Sequence, residues 1–308
     1  QTCALPISTL PAAEPAEMPA ALADYSGYYG SNMQQMEATF ADGALHIRSL
    51  TVPSTPVQVF TYHSDGSFRD ETGSVLLKFV EETNGEIYIY QKYCGNLPGL
   101  GLMPSSAYLA QKMPENAVSA ETQAAWDKLE TMGAFLVSEK YSSQIWPALF
   151  ETNGMTEMPE MVPGYSSALR IVDSATARAE LQLPNMAGRD SQDMFVSERD
   201  GVTYLSTYSQ IFMDAAQVKP IFAGAGSYST IQADGYARWY TVGAAAGMSM
   251  TVALPENAGF YVYNADGSVA ASSVMYGDAS VALPEGGYIV FIGDPGARFH
   301  LSFTRPAA

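Results

Sequence analysis

A chain of 308 residues with 47% hydrophobic, 11% aromatic and only 15% charged residues has the composition of a folded protein of about two domains, which excludes bulk disorder and a disulfide-stapled miniprotein. Its 32 acids against 15 bases leave a formal charge of -17, a surface that repels a phosphate backbone, so nucleic acid is excluded as a partner. No run approaches the ~18 consecutive apolar residues of a membrane span, and the two cysteines, Cys3 and Cys94, make neither a disulfide framework nor the paired spacing of a zinc site.

Residues 1–7 read Gln-Thr-Cys-Ala-Leu-Pro-Ile, which resembles the translation of a short-read sequencing adaptor. On that reading these residues belong to no fold, Cys3 carries no biology, and the chain is expected to be the C-terminal piece of a longer protein. From Thr9 to Ala21 the sequence is rich in Pro, Ala and Glu and has no apolar period, the composition of an extended linker, so 1–21 are set apart. Apolar and polar residues then alternate through Met36 to Phe40, Leu45 to Leu50, Val57 to Tyr62, Val75 to Val80 and Glu86 to Tyr93. Asp42-Gly43, Asp65-Gly66 and Asn84-Gly85 fall between neighbours, and Asx-Gly accepts the positive φ of two-residue hairpin turns. The pattern predicts an antiparallel meander, with 22–113 as a lipocalin-like β-barrel or curled sheet.

Ser119 suits a helix N-cap, with Glu121 in the first turn, Ala125, Trp126, Leu129 and Met132 on one face, and Gly133 as the stop. One short connecting helix is expected. The stretch from Gly133 to Trp146 has a shorter echo from Gly201 to Phe212, two similar strand pairs, so 114–220 read as helix plus a second β-region. The final stretch, 221–308, alternates again around Asp234-Gly235 and Asn264-Ala-Asp-Gly267 and reads as a β-sandwich. Seven Asx-Gly pairs in all, counting Asn153-Gly154 and Asp200-Gly201, make the fold class mainly β: a barrel-like meander, a further β-region and a C-terminal sandwich.

The order of three blocks carries a family resemblance. Leu22-Ala-Asp-Tyr-Ser-Gly-Tyr-Tyr-Gly30 comes first, followed by Asp65-Gly-Ser-Phe68, Phe79-Val-Glu-Glu-Thr-Asn-Gly85 and Tyr88-Ile-Tyr90. Then come Trp126 with Glu139-Lys-Tyr-Ser-Ser143, and last Val281-Ala-Leu-Pro-Glu-Gly-Gly-Tyr-Ile-Val-Phe291. Together they resemble the region that follows the catalytic domain in bacterial serine hydrolases of the class C β-lactamase and penicillin-binding type. The resemblance implies an accessory region outside the cell or in its envelope, partnered by a catalytic domain encoded elsewhere. Activity does not carry over. None of the six lysines, Lys78, Lys92, Lys112, Lys128, Lys140 and Lys219, closes a Ser-x-x-Lys or opens a Lys-Thr-Gly, no Tyr-x-Asn or Ser-x-Asn occurs, and none of His46, His63 and His300 begins a His-Thr-Gly.

Other chemistry is weighed against plainer explanations. No Gly-x-Ser-x-Gly elbow accompanies the three histidines, and His46 and His300 sit in strand patterns. His63, Asp65, Asp70 and Glu71, and separately Asn264 with Asp266, offer oxygens to a hard cation, yet neither spacing is that of a calcium loop and each suits a solvated turn. Glu81 and Glu82 point to opposite faces of a strand, Glu198 with Asp200 reads as surface, and Gly224-Ala-Gly226 lacks the third glycine of a dinucleotide loop. No catalytic, cofactor or metal residue is therefore assigned. Nineteen tyrosines and Trp126, Trp146 and Trp239 supply rings that serve either as core or as a stacking face for glycan or peptide. Two functions follow: an accessory region packing on or tethering a catalytic domain, or a free-standing glycan- or peptide-binding module.

Overall fold

The computed structural model describes residues 10–31, 34–99, 101–130, 132–138, 160–184, 189–207 and 210–305. The chain divides into two compact units, Gln1–Glu130 with Gly154–Met194 and Thr131–Asn153 with Phe195–Ala308.

The first unit is built on eight antiparallel strands in chain order: β1 (Gly27–Gly30), β2 (Gln35–Ala41), β3 (Ala44–Ser49), β4 (Gln58–Tyr62), β5 (Phe68–Arg69), β6 (Val75–Glu81), β7 (Ile87–Leu97) and β8 (Gly101–Lys112). β1 pairs with β8, Tyr29 opposite Lys112, so the sheet closes on itself and has no free edge. Alternation decides what goes inside. Met36, Ala38, Leu45, Ile47, Phe60, Leu77 and Ile89 are buried in the lumen, while their neighbours Glu37 and Arg48 meet outside at 2.9 Å.

The Asx-Gly pairs turn the chain in two ways. At Asp42-Gly43 both residues have positive φ, 52° and 75°, the expected two-residue hairpin, and Asp200-Gly201 repeats it at 54° and 73°. At Asp65-Gly66, Asn84-Gly85 and Asp266-Gly267 only the glycine is left-handed, and the loop holds three residues. In the first of these His63 N–H donates to Ser67 O while Gly66 N–H donates to His63 O. The Asx side chain explains the preference. Asp65, Asn84 and Asp266 each accept from the backbone N–H two residues on, which caps the turn from within. Asn153-Gly154 lies outside the described residues.

The Pro/Ala/Glu-rich segment is extended, as its composition requires, and the barrel wall supplies the partners that hold it. Arg69 Nη1 donates to Pro11 O at 2.6 Å, the His63 ring meets Ala13 O at 2.9 Å, and Ala16 N–H donates to Tyr62 O. A 3-10 turn over Ala20–Tyr25 follows, and Met18 and Leu22 pack against the lumen residues.

After the barrel comes α1 (Ala120–Glu130), capped by Ser119 Oγ accepting from Thr122 N–H at 3.1 Å. Next in the chain are β9 (Ala134–Leu136), which belongs to the second unit, and β10 (Tyr165–Ser166), β11 (Leu169–Asp173) and β12 (Thr176–Arg178), an antiparallel run in the first. Trp126 is fully buried and donates to Asp173 O. A small second core of Leu50, Met113, Val162, Tyr165 and Leu181 fixes this run to the barrel. Burial pushes the Tyr165 phenol up to about 12, and it donates to Pro114 O at 2.8 Å.

The second unit joins β9 to β13 (Met194–Arg199), β14 (Val202–Thr207) and β15 (Gln210–Asp214), all antiparallel, with Phe212 opposite Leu136. The remaining strands are β16 (Tyr228–Thr230), β17 (Arg238–Thr241), β18 (Ser249–Ala253), β19 (Ala258–Tyr263), β20 (Val269–Ser272), β21 (Ser280–Ala282), β22 (Tyr288–Gly293) and β23 (Arg298–Thr304). They form two four-stranded sheets, β16-β23-β18-β21 and β17-β22-β19-β20. The expected sandwich is present, and its second sheet is covered on both faces. Phe260, Val262, Ile289 and Phe291 face the other sheet, whereas the alternate residues Tyr261, Tyr263, Val290 and Ile292 join Trp239 against Phe135, Val137 and Tyr204. The Phe135 and Trp239 rings stack at 4.3 Å, and Trp239 Nε1 donates to Leu136 O.

Candidate ligand-binding cavity in the barrel

The two ends of the barrel differ. At the end of the β2–β3, β4–β5 and β6–β7 turns, aromatic rings fill the lumen. Phe40 lies 5.7 Å from Phe68, Phe68 lies 6.0 Å from Phe79 edge to face, and Tyr25 stacks on Phe79 at 5.1 Å. Tyr29 donates to Tyr25 O from the same cluster, and burial holds its phenol above the ordinary range. Outside this end, Arg69 is buried and spends its guanidinium on Asp65, Ser67 and Pro11 O. The end is shut.

At the opposite end the filling stops. Ile47 is followed on the inner face by Ser49, Phe60 is preceded by Gln58, and Ile89 is followed by Gln91, so three strands change from large apolar to neutral polar side chains toward this end. The space left is a cavity of about 540 Å³, within the range that suits a small ligand. Met36, Ile47, Phe60, Leu77 and Ile89 form its floor and walls; Gln34, Gln35, Ser49, Thr51, Gln58 and Gln91 lie around its mouth. The rim is fixed by backbone bonds. Gln35 N–H donates to Thr51 Oγ1 at 2.8 Å, Leu50 N–H donates to Gln35 O at 2.9 Å, and Val52 N–H donates to Ser49 Oγ at 3.0 Å. Among the described residues that line the cavity none is ionisable. A charged ligand would enter without a counter-charge, at a large desolvation cost, whereas an uncharged one finds amides and hydroxyls that donate and accept.

β7 and β8 continue past the rim. β6 accompanies β7 only as far as Tyr93, opposite Val75, while β7 and β8 stay paired to Leu97 and Gly101. This ribbon stands at the open end and exposes Leu102 and Met103 by 51% and 45%.

The sequence candidates lie elsewhere, and Asp65, Asp70 and Asp266 are committed to turns. Asp65 Oδ1 accepts from Ser67 N–H and hydroxyl, and Oδ2 pairs with Arg69 at 2.9 Å. Burial works against its charge, but the bonds from Ser67 and Arg69 outweigh it and hold the carboxyl below its ordinary value. Asp70 is lowered in the same way: desolvation opposes, and Thr72, Val75 N–H and Ser74 prevail. Glu71 is exposed in the following turn. Asp266 is lowered by hydrogen bonds from Ser268, whose hydroxyl also accepts from Asn264. Glu82 accepts from Tyr108, Glu198 is an exposed strand residue, and Asp200 is a left-handed turn residue. Gly224 and Gly226 belong to a loop tied by Ser227. His46 lies on the outer side of β3 with its Nε2 buried and without a hydrogen-bond partner, and His300 is exposed in β23. Among the described residues no group of three or more His, Cys, Asp and Glu is placed to hold a metal ion. Trp126 and Trp239 are core residues, while Trp146 and Glu139-Lys-Tyr-Ser-Ser143 lie outside the described residues. Among the described residues no helix is long and apolar enough to cross a membrane.

Sequence reasoning missed the cavity because no motif announces it. The available signal was the loss of inward apolar residues at Ser49, Gln58 and Gln91, three positions on separate strands that come together only around the cavity. Comparison of the chain with known protein families, with curated proteins and with solved structures returned no match in any of the three.

Proposed function

We propose that the chain acts by binding and that its barrel holds a small uncharged molecule with an apolar body and a hydrogen-bonding head. The observation that supports this is the blind cavity, apolar below and ringed by neutral polar side chains above. N-phenyl-1-naphthylamine, an uncharged apolar dye, tests it. The expected result is saturable fluorescence enhancement by the purified chain and at least tenfold weaker binding in Ser49→Trp, whose indole fills the neck. A dye that stays dark, or binds equally to a folded Ser49→Trp variant, overturns the assignment.

A second reading is an accessory region beside a catalytic domain of the serine-hydrolase type that the block order resembles, in the cell envelope or outside the cell. The exposed Leu102 and Met103 on a ribbon free of barrel neighbours favour it, since such a projection has apolar surface to offer a partner. On this reading the chain contributes loops and area and no nucleophile. A fluorescent β-lactam probe is expected to leave it unlabelled, and stoichiometric labelling would refute the reading.

A further inference from the structure

The outward face of the sheet β16-β23-β18-β21 has an unusual composition for so acidic a chain. Register aligns its outward residues in rows across the strands: Thr230 with Arg298, Tyr228 with His300 and Ala253, Ser302 with Thr251 and Ser280. Their alternate neighbours Ser229, Phe299, Leu301, Met250 and Val281 are buried, so the facing is unambiguous. An antiparallel sheet often turns one face to water, and that face is ordinarily polar. Here, with 32 acids in the chain, the outward positions of the four strands hold no carboxylate and no lysine. Hydroxyls, one imidazole and one guanidinium remain, and Thr251 and Ser280 are within 3.1 Å of each other.

Tyr228 stands on the edge strand of this face, Phe222 lies in the loop that leads into that strand, and each ring is held. Tyr228 is 56% exposed, and the Arg298 guanidinium lies 3.9 Å from its ring centre. Phe222 is 72% exposed, the most open of the large apolar side chains described. Its ring rests on Gly224, where a Cβ would collide with Phe222 Cζ, so the glycine is required for the ring to lie there. The buried Ser227 joins the two rings. Its hydroxyl donates to Phe222 O and accepts from Gly224 N–H, and its own carbonyl accepts from Leu301 N–H in β23. Leaving a Phe ring in water forgoes the gain of burying it, and here a tied loop maintains that exposure.

We infer that this face binds an uncharged polysaccharide strand, whose pyranose C–H faces lie on Tyr228 and Phe222 while its hydroxyls exchange hydrogen bonds with Thr230, His300, Ser302 and Thr251. Each alternative occupant lacks its usual complement. A protein interface wants an apolar centre, which a row of Ser and Thr does not give, and an acidic polymer meets a chain of charge -17. The site is independent of the barrel cavity.

Native gels cast with soluble xyloglucan, galactomannan or a β-1,3-glucan, and in parallel with alginate, test it. The chain is expected to be retarded by at least one neutral polymer. That retardation should weaken at least tenfold in Tyr228→Ala and in Phe222→Ala, and stay unchanged in Ser49→Trp. Both aromatic positions are exposed, so the unfolding midpoints of these variants should match the parent, and either variant suffices if the other fails to fold. Unaltered mobility in every neutral gel overturns the inference, as does retardation by alginate alone or retardation that survives both substitutions. Loss of dye binding in the barrel with polymer binding intact would refute the cavity reading and leave this one standing.

Discussion

The barrel and the C-terminal sandwich are made from the same kind of short alternating strand, but most barrel strands bury one face along their length and the strands β19 and β22 bury two. In the barrel Glu37, Arg48 and Lys78 can stay outside, and the curved inner face is filled only as far as its side chains reach. In β19 and β22 every residue from Phe260 to Tyr263 and from Ile289 to Ile292 is buried, because each serves one of two cores in turn. Space for a ligand therefore remains where one face is packed and the packing runs out.

The comparison can be broken at its strongest point first. Phe291→Ala, in the centre of the doubly covered sheet, is expected to cost about 3–5 kcal/mol in denaturant unfolding. A loss below about 1.5 kcal/mol would mean that the two-core description is wrong. Leu77→Ala, on the cavity wall, should cost about 2 kcal/mol, the low end for such a truncation, because the vacated volume joins a space already open to water; a loss of 4 kcal/mol would show that this end is as tightly filled as the other. Gly66→Ala and Gly267→Ala place the same left-handed turn in the two regions at φ of 76° and 79°, so equal penalties of about 1 kcal/mol are expected from thermal unfolding. Unequal ones would separate turns that share a geometry.

The smallest effect is one of pH. The folded Asp65 carboxyl sits below its unfolded value of 3.8, so its contribution is fully present above that value and is lost as pH falls through the lowered one. The stability difference between the parent and Asp65→Asn should thus be flat near neutrality and shrink only in acid below about pH 4. A difference that grows on acidification would contradict the hydrogen bonding described for this turn.

Much of the strand order was legible because alternation and Asx-Gly turns are local signals. The runs around Met36, Leu45 and Val75 became β2, β3 and β6 at nearly the expected limits, while the run from Glu86 to Tyr93 became β7, which continues four residues further to Leu97. β8 escaped because Pro104-Ser105-Ser106 shows no apolar period, and its backbone is recruited by β7. β5, two residues long, is held by its neighbours. The fastening of Pro11 to Ala16 depends on Arg69 and His63, more than 40 residues away, which no local pattern reveals. The same holds for the sites. Tyr228 and Phe222 have the residue types of core aromatics, and only pairing with β23 and the rest on Gly224 turn them outward.

The carbonyl of Pro11 completes the coordination of a guanidinium that solvent scarcely touches. A protease nick in that stretch would orphan a cation indoors, at about 1–3 kcal/mol or more, since burial denies it a replacement from water. What reads as a disposable tail works as a latch, so affinity handles and cleavage sequences belong on the far side of Leu10, where cutting them free leaves the latch fastened.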